Sequence, residues 1–144
     1  MLDANNVAYH RPYYTSSLAQ IHARTGDVRL ALALCIDARQ RAQRTEEHIW
    51  EAELHRIEGE VRRIAGHAPT DVEGCLDRAL NVSQRQGARI FELRAATALV
   101  YLWRDQGKKA EARDLLAPIY GWFTEGFNTG DLKVAKALLD ELSA

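Results

Sequence analysis

With two cysteines, three prolines and one methionine in 144 residues, the chain offers few of the usual landmarks. Neither Cys35 nor Cys75 belongs to a CxxC pair or to a zinc-ligand set with nearby histidines, so both are expected as buried free thiols. A dominant charge is also lacking. Nineteen Lys and Arg stand against twenty Asp and Glu, a net charge of −1, which removes the overall electrostatic footprint of a nucleic-acid binder. No apolar run approaches the length of a membrane span. The opening MLDANNVAYH carries Asp3 and two asparagines where a secretory signal needs a basic start and then an apolar stretch, so a cytoplasmic protein without membrane contact is expected. No GxxxxGK[ST] loop is present to cradle a phosphate, and no cofactor is expected.

What is present is helical periodicity. Trp50, Leu54, Ile57, Val61 and Ile64 recur at steps of four and three, as do Val72, Leu76, Ala79 and Val82, and then Leu132, Ala135, Leu138 and Leu142. Period-two alternation bounded by turns is absent. Ala, Leu, Arg, Glu and Gln, which lose little side-chain entropy in a helix, dominate throughout. Thr70 with Glu73 reads as a capping box, Thr45 and Asp27 as N-caps, and Gly87 and Gly126 as left-handed helix ends. Helices are expected near 11–25, 27–44, 46–65, 70–86, 89–106, 108–124 and 129–142.

Gly26, Gly66 and Gly107 each separate two of these helices, at steps of 40 and 41 residues. IWEAELHRIEG, from Ile49, aligns with IFELRAATALV, from Ile90, at the same offset. In the helix after each turn, Ala31, Cys35 and Ala38 correspond to Val72, Leu76 and Ala79 and to Ala112, Leu116 and Ile119. Such small or apolar trios let paired helices approach closely and stack on the next pair.

This pattern resembles the tetratricopeptide repeat. Ala19 and Gly59 stand at its small first-helix position, glycines at its turn, and Ala31, Ala38, Ala79 and Ala112 at its small second-helix positions. The period of 40 or 41 departs from the usual length of about 34, and Val100 and Ile119 depart from the small residues. A HEAT-type array fits the period better, whereas the glycine turns and alanine spacing favour the tetratricopeptide pattern. The expected fold is all-α: a tetratricopeptide-like right-handed solenoid of three hairpins, about 11–44, 46–86 and 89–124, with a capping helix about 129–142. These form one repeat domain over 9–142 behind an N-terminal lead over 1–8. The run LWRDQGKKAEARDLLAPIYGWFTEGFNTGDLKVAKALLDEL, with WEAELHRIEGE and HRPYYTS, also resembles the C-terminal helical tail of large bacterial signalling proteins. Those proteins join a class III adenylate or guanylate cyclase, or a DNA-binding domain, to a STAND-type ATPase. The resemblance implies a non-catalytic sensor or protein-interaction module, with any cyclase or ATPase activity in upstream domains.

First helices line the concave wall in such arrays. Carrying the register across them places Tyr13, Arg24, Arg56, Arg63, Arg94, Tyr101, Arg104 and Lys133 along a candidate groove for a protein or peptide partner. An acidic segment suits it, since arginine offers paired donors to carboxylates. The plainer alternative is a solvated face with pairs such as Glu53 with Arg56 and Glu60 with Arg63. Tyr120, Trp122, Phe123 and Phe127 crowd the region after Pro118 and are expected to pack under the capping helix or, alternatively, to mediate self-association into a homodimer. Tyr9, Tyr13 and Tyr14 are candidates for the same contact. Two further functions stand as alternatives. Glu51, His55 and Glu58, at i, i+4 and i+7, are the only sequence-level case for a metal-binding protein or small enzyme, although one helix rarely closes a coordination sphere. An arginine row also admits nucleic acid, which the balanced charge disfavours.

Overall fold

A computed structural model describes residues 11–46 and 48–144; the lead over 1–8, Tyr9 and Glu47 lie outside the described residues. Within them are seven helices and no strand: α1 (Arg11–Arg24), α2 (Val28–Arg44), α3 (Glu51–Ile64), α4 (Pro69–Gln86), α5 (Arg89–Asp105), α6 (Lys109–Gly121) and α7 (Gly130–Leu142). The all-α expectation is met.

Each element starts and stops for local reasons. Gly26, Gly66, Gly87 and Gly107 all have positive φ, a conformation that costs other residues steric strain. After each of them the next amide donates to the carbonyl five residues back: Asp27 to His22, His67 to Arg62, Ala88 to Ser83 and Lys108 to Trp103, at 2.9–3.0 Å. Asp27 caps α2 as expected, its carboxylate accepting from the Leu30 amide at 3.2 Å.

Other boundaries differ from the sequence expectation. Helix α4 starts at Pro69, with Ala68 at the cap and no side-chain cap bond. A proline in the first turn has no N–H to satisfy there. The Thr70–Glu73 box therefore does not form, and Glu73 instead accepts from the Trp103 indole at 2.9 Å, tying α4 to α5. Thr45 closes α2 rather than opening α3: its hydroxyl donates to the Arg41 carbonyl at 2.9 Å, and Glu46 takes φ 54°. The second hairpin thus begins at Glu51, not 46. Helix α6 ends at Gly121, not 124, three residues beyond Pro118, which has no N–H to donate to the Asp114 carbonyl. Gly126 does not end α6; it forms the turn into α7, accepting at its carbonyl from Thr129 N and Oγ1.

Packing follows a regular order. Every helix touches its neighbours in sequence, and α1, α3, α5 and α7 also touch in succession, whereas among the described residues the even-numbered helices contact only the helices immediately before and after them. The nine residues of the three repeated trios are all buried. Gly59 lets α3 and α4 approach closely: a Cβ there would lie 2.9 Å from Leu76 Cδ2 and 3.2 Å from Cys75 Cβ. The largest cluster runs from Val72 on α4 through Leu93 and Leu99 on α5 to Leu116, Leu132 and Leu138, and Tyr120 and Phe123 pack against it. Helix α7 gives Leu132, Ala135, Leu138 and Leu142 to that end of the core.

Candidate functional site

Odd-numbered helices present equivalent register positions to one groove of about 770 Å³. Tyr13, Glu53, Arg94 and Val134 form one row across α1, α3, α5 and α7, at steps of 40, 41 and 40 residues; Glu60 with Tyr101, and Arg63 with Arg104, form two more. Of the eight residues assigned to the groove from sequence, Tyr13, Arg56, Arg63, Arg94, Tyr101 and Arg104 line it. Arg24 lies at its edge, bound to Glu60, and Lys133 is exposed on α7 outside the lining.

The arginines are not a free basic stripe. Four of them (Arg56, Arg63, Arg94 and Arg104) share the groove with four carboxylates (Glu53, Glu60, Asp105 and Asp131). Glu53, 1% exposed, accepts from Arg56 Nε at 2.9 Å and Nη2 at 3.0 Å, and from Arg94 Nη1 at 3.4 Å. Arg94 Nε reaches Asp131 on α7 at 3.0 Å. In the other direction Glu60 pairs with Arg56 at 3.5 Å and with Arg24 of α1 at 3.0 Å, and also accepts from Gln20. The result is one ladder of charges through all four odd-numbered helices. Burial works against the charge on Arg56, but its hydrogen bonds and proximity to Glu53, with the charges of Glu60 and Asp131, outweigh that cost and hold its pKa above the ordinary arginine value. Arg104 pairs with Glu141 at 3.3 Å and Asp105 at 3.4 Å, both more solvated.

The expected Glu53–Arg56 pair thus exists, whereas Glu60 binds Arg56 and Arg24 instead of Arg63. Among the described residues Arg63 has no carboxylate partner. Sequence reasoning had only the acids on α3 to set against the row. Asp131 and Glu141 enter from α7, a contact that no helix-local spacing reveals. Sequence reasoning also missed a stack at one end of the groove, where Tyr13 lies on Trp50 at 4.3 Å and Trp50 meets the Phe91 ring at 6.0 Å. The signal was there in the alignment of Trp50 with Phe91.

The opposite side of α3 carries Glu51, His55 and Glu58. Glu58, 2% exposed, is held by Arg62 at 2.9 Å and by Arg39 of α2 at 3.1 Å, so Glu51, His55 and Glu58 do not converge. Among the described residues no three His, Cys, Asp or Glu side chains are grouped to hold an ion. His55 borders a second cavity of about 520 Å³ with Arg39, His48, Glu51 and Arg85. Its Nδ1 is buried without a hydrogen-bond partner among the described residues, and burial pulls its pKa below 6.5 against the opposing pull of Glu51 and Glu58. Burial, reinforced by Glu58, pushes Cys35 up to about 12, and Cys75 also rises; neither thiol is activated for nucleophilic work.

The four aromatics named after Pro118 divide. Tyr120 and Phe123 are packed on the core, whereas Trp122 and Phe127 are 54% and 46% exposed. Phe127 lies 5.9 Å from Tyr120, and Arg89 covers the Trp122 ring at 4.8 Å. No helix among the described residues is long and apolar enough to cross a membrane. No known protein family, curated protein or solved structure matches the chain.

Proposed function

We propose that the chain is a tetratricopeptide-like right-handed solenoid that serves as a non-catalytic protein-interaction or regulatory module, binding an extended peptide across its odd-numbered helices. The observation that carries this reading is the groove itself: successive first helices bring repeat-equivalent side chains to one concave surface of about 770 Å³, a shape suited to an extended segment. Its place as the C-terminal part of a larger bacterial signalling protein rests on the sequence resemblance.

The balance of four arginines and four carboxylates in the groove supports a protein partner over nucleic acid, which calls for a net positive face. A preference for acidic peptides rests on Arg63, which has no carboxylate partner among the described residues, and on the solvated pairs of Arg104, which can exchange Glu141 for a ligand carboxylate. Tyr13 and Tyr101 offer apolar surface beside them. Arg94 belongs to the ladder and is the wrong residue for a binding test.

Titration calorimetry of the parent and of Arg63→Gln, against acidic and basic peptide pools, tests this. Acidic peptides are expected to bind weakly, less tightly as salt rises, and several-fold less tightly to the variant. Equal binding of both pools, or an unaffected variant of intact fold, refutes it.

A further inference from the structure

Leu18 and Ile21 lie one turn apart on α1 and are 46% and 58% exposed. The repeat register gives their counterparts. Leu18 corresponds to Glu58 and Leu99, which are 2% and 0% exposed, and Ile21 to Val61 and Leu102, at 0% and 9%. In α3 these positions meet the preceding hairpin, and in α5 they belong to a cluster that includes it. Val61, with Ile57, packs among the small residues Ala19, Ala23, Ala31 and Cys35 of α1 and α2, with Leu32 and Leu34 partly buried beside them, while Glu58 reaches Arg39 of α2. Leu99 and Leu102 join the cluster that contains Val72, Leu76 and Ala79 of α4.

We infer that Leu18 and Ile21 form a docking face for one more helical hairpin of the same kind, joined ahead of α1 and presenting small or apolar residues to it. The inference uses the repeat register and is independent of what the groove binds. Leu99 and Leu102 are the same kind of aliphatic pair at consecutive turns of α5, and Val61 keeps the second position in α3, where Glu58 takes the first. A second copy of the chain fits this face less well. The outer side of α7 exposes Lys133, Lys136, Asp140 and Glu141, and two α1 faces set against each other would offer Leu18 and Ile21 no bed of small residues.

The test inserts a second copy of residues 11–50 directly ahead of Arg11, so that Arg11 follows a hairpin as Glu51 does. Circular dichroism should show the added helix, and amide exchange in the original α1 should slow by about tenfold or more as its exposed face is covered. Leu18→Glu in that helix should abolish the slowing in the extended chain and leave the thermal midpoint of the parent unchanged. An insert that stays unfolded, or that folds while α1 exchanges as before, overturns the inference. So does a parent whose stability falls as far as that of the extended chain on Leu18→Glu. A parent that forms dimers by light scattering, lost in Leu18→Glu, assigns the face to a second copy instead and overturns it equally.

Discussion

Replacing Glu53 with glutamine removes the central charge of the ladder while keeping its shape. Glu53 is 1% exposed and holds Arg56 through two bonds of 2.9 and 3.0 Å, with Arg94 at 3.4 Å. At an effective dielectric of about 20, unit charges this close attract by roughly 4–5 kcal/mol before desolvation is counted. Breaking a buried pair by removing one partner costs about 3–5 kcal/mol, because the remaining charge stays desolvated and unpaired. Arg56 retains Glu60 at 3.5 Å, which places the expected loss for Glu53→Gln at about 3 kcal/mol. Arg94 is a different case. Its side chain is 33% exposed and water can take over part of its role at Asp131, itself 35% exposed, so Arg94→Gln should cost only about 1 kcal/mol. Urea unfolding of both variants, with unchanged m-values, measures the difference. A Glu53→Gln protein within about 0.5 kcal/mol of the parent, or an Arg94→Gln protein destabilised as much as Glu53→Gln, would refute the view that the ladder is anchored on a buried carboxylate.

Ala38 and Ala79 are 0% exposed at helix–helix contacts, so Ala38→Leu and Ala79→Leu should each overpack the core and cost about 1–3 kcal/mol in chemical denaturation; full stability in both would show the repeat register to be wrong. The Cys35 thiol, held at about 12 in the fold against an ordinary 9, keeps its proton when the unfolded chain has released it. The folded state then binds more protons above pH 9, so stability should fall by up to about 1.4 kcal/mol per pH unit between pH 9 and 12. Comparing the alkaline stability slopes of the parent and Cys35→Ala checks this, and identical slopes would refute it.

Sequence alone determined the seven helices, the hairpin turns and the repeated trios, because these rest on short-range physics. Apolar residues at steps of three and four specify which helix face is buried, and glycines at Gly26, Gly66, Gly87 and Gly107 supply the positive φ that ends a helix. The groove rows were legible for the same reason: a repeat of constant length carries one facing direction from Glu53 to Arg94. Cap chemistry at Thr70 and Thr45 misled because several local hydrogen-bonding patterns compete for one threonine, and Pro69 or the Arg41 carbonyl decided between them. Only tertiary structure decided the electrostatic character of the groove. Arg94 meets Glu53 and Asp131 across 41 and 37 residues of chain, and the pairing of a charge with a distant carboxylate is set by how helices stack, which no local period encodes. The same stacking left Arg63 without a carboxylate partner among the described residues and Leu18 and Ile21 about half exposed, since a side chain's solvation depends on which neighbour its helix receives.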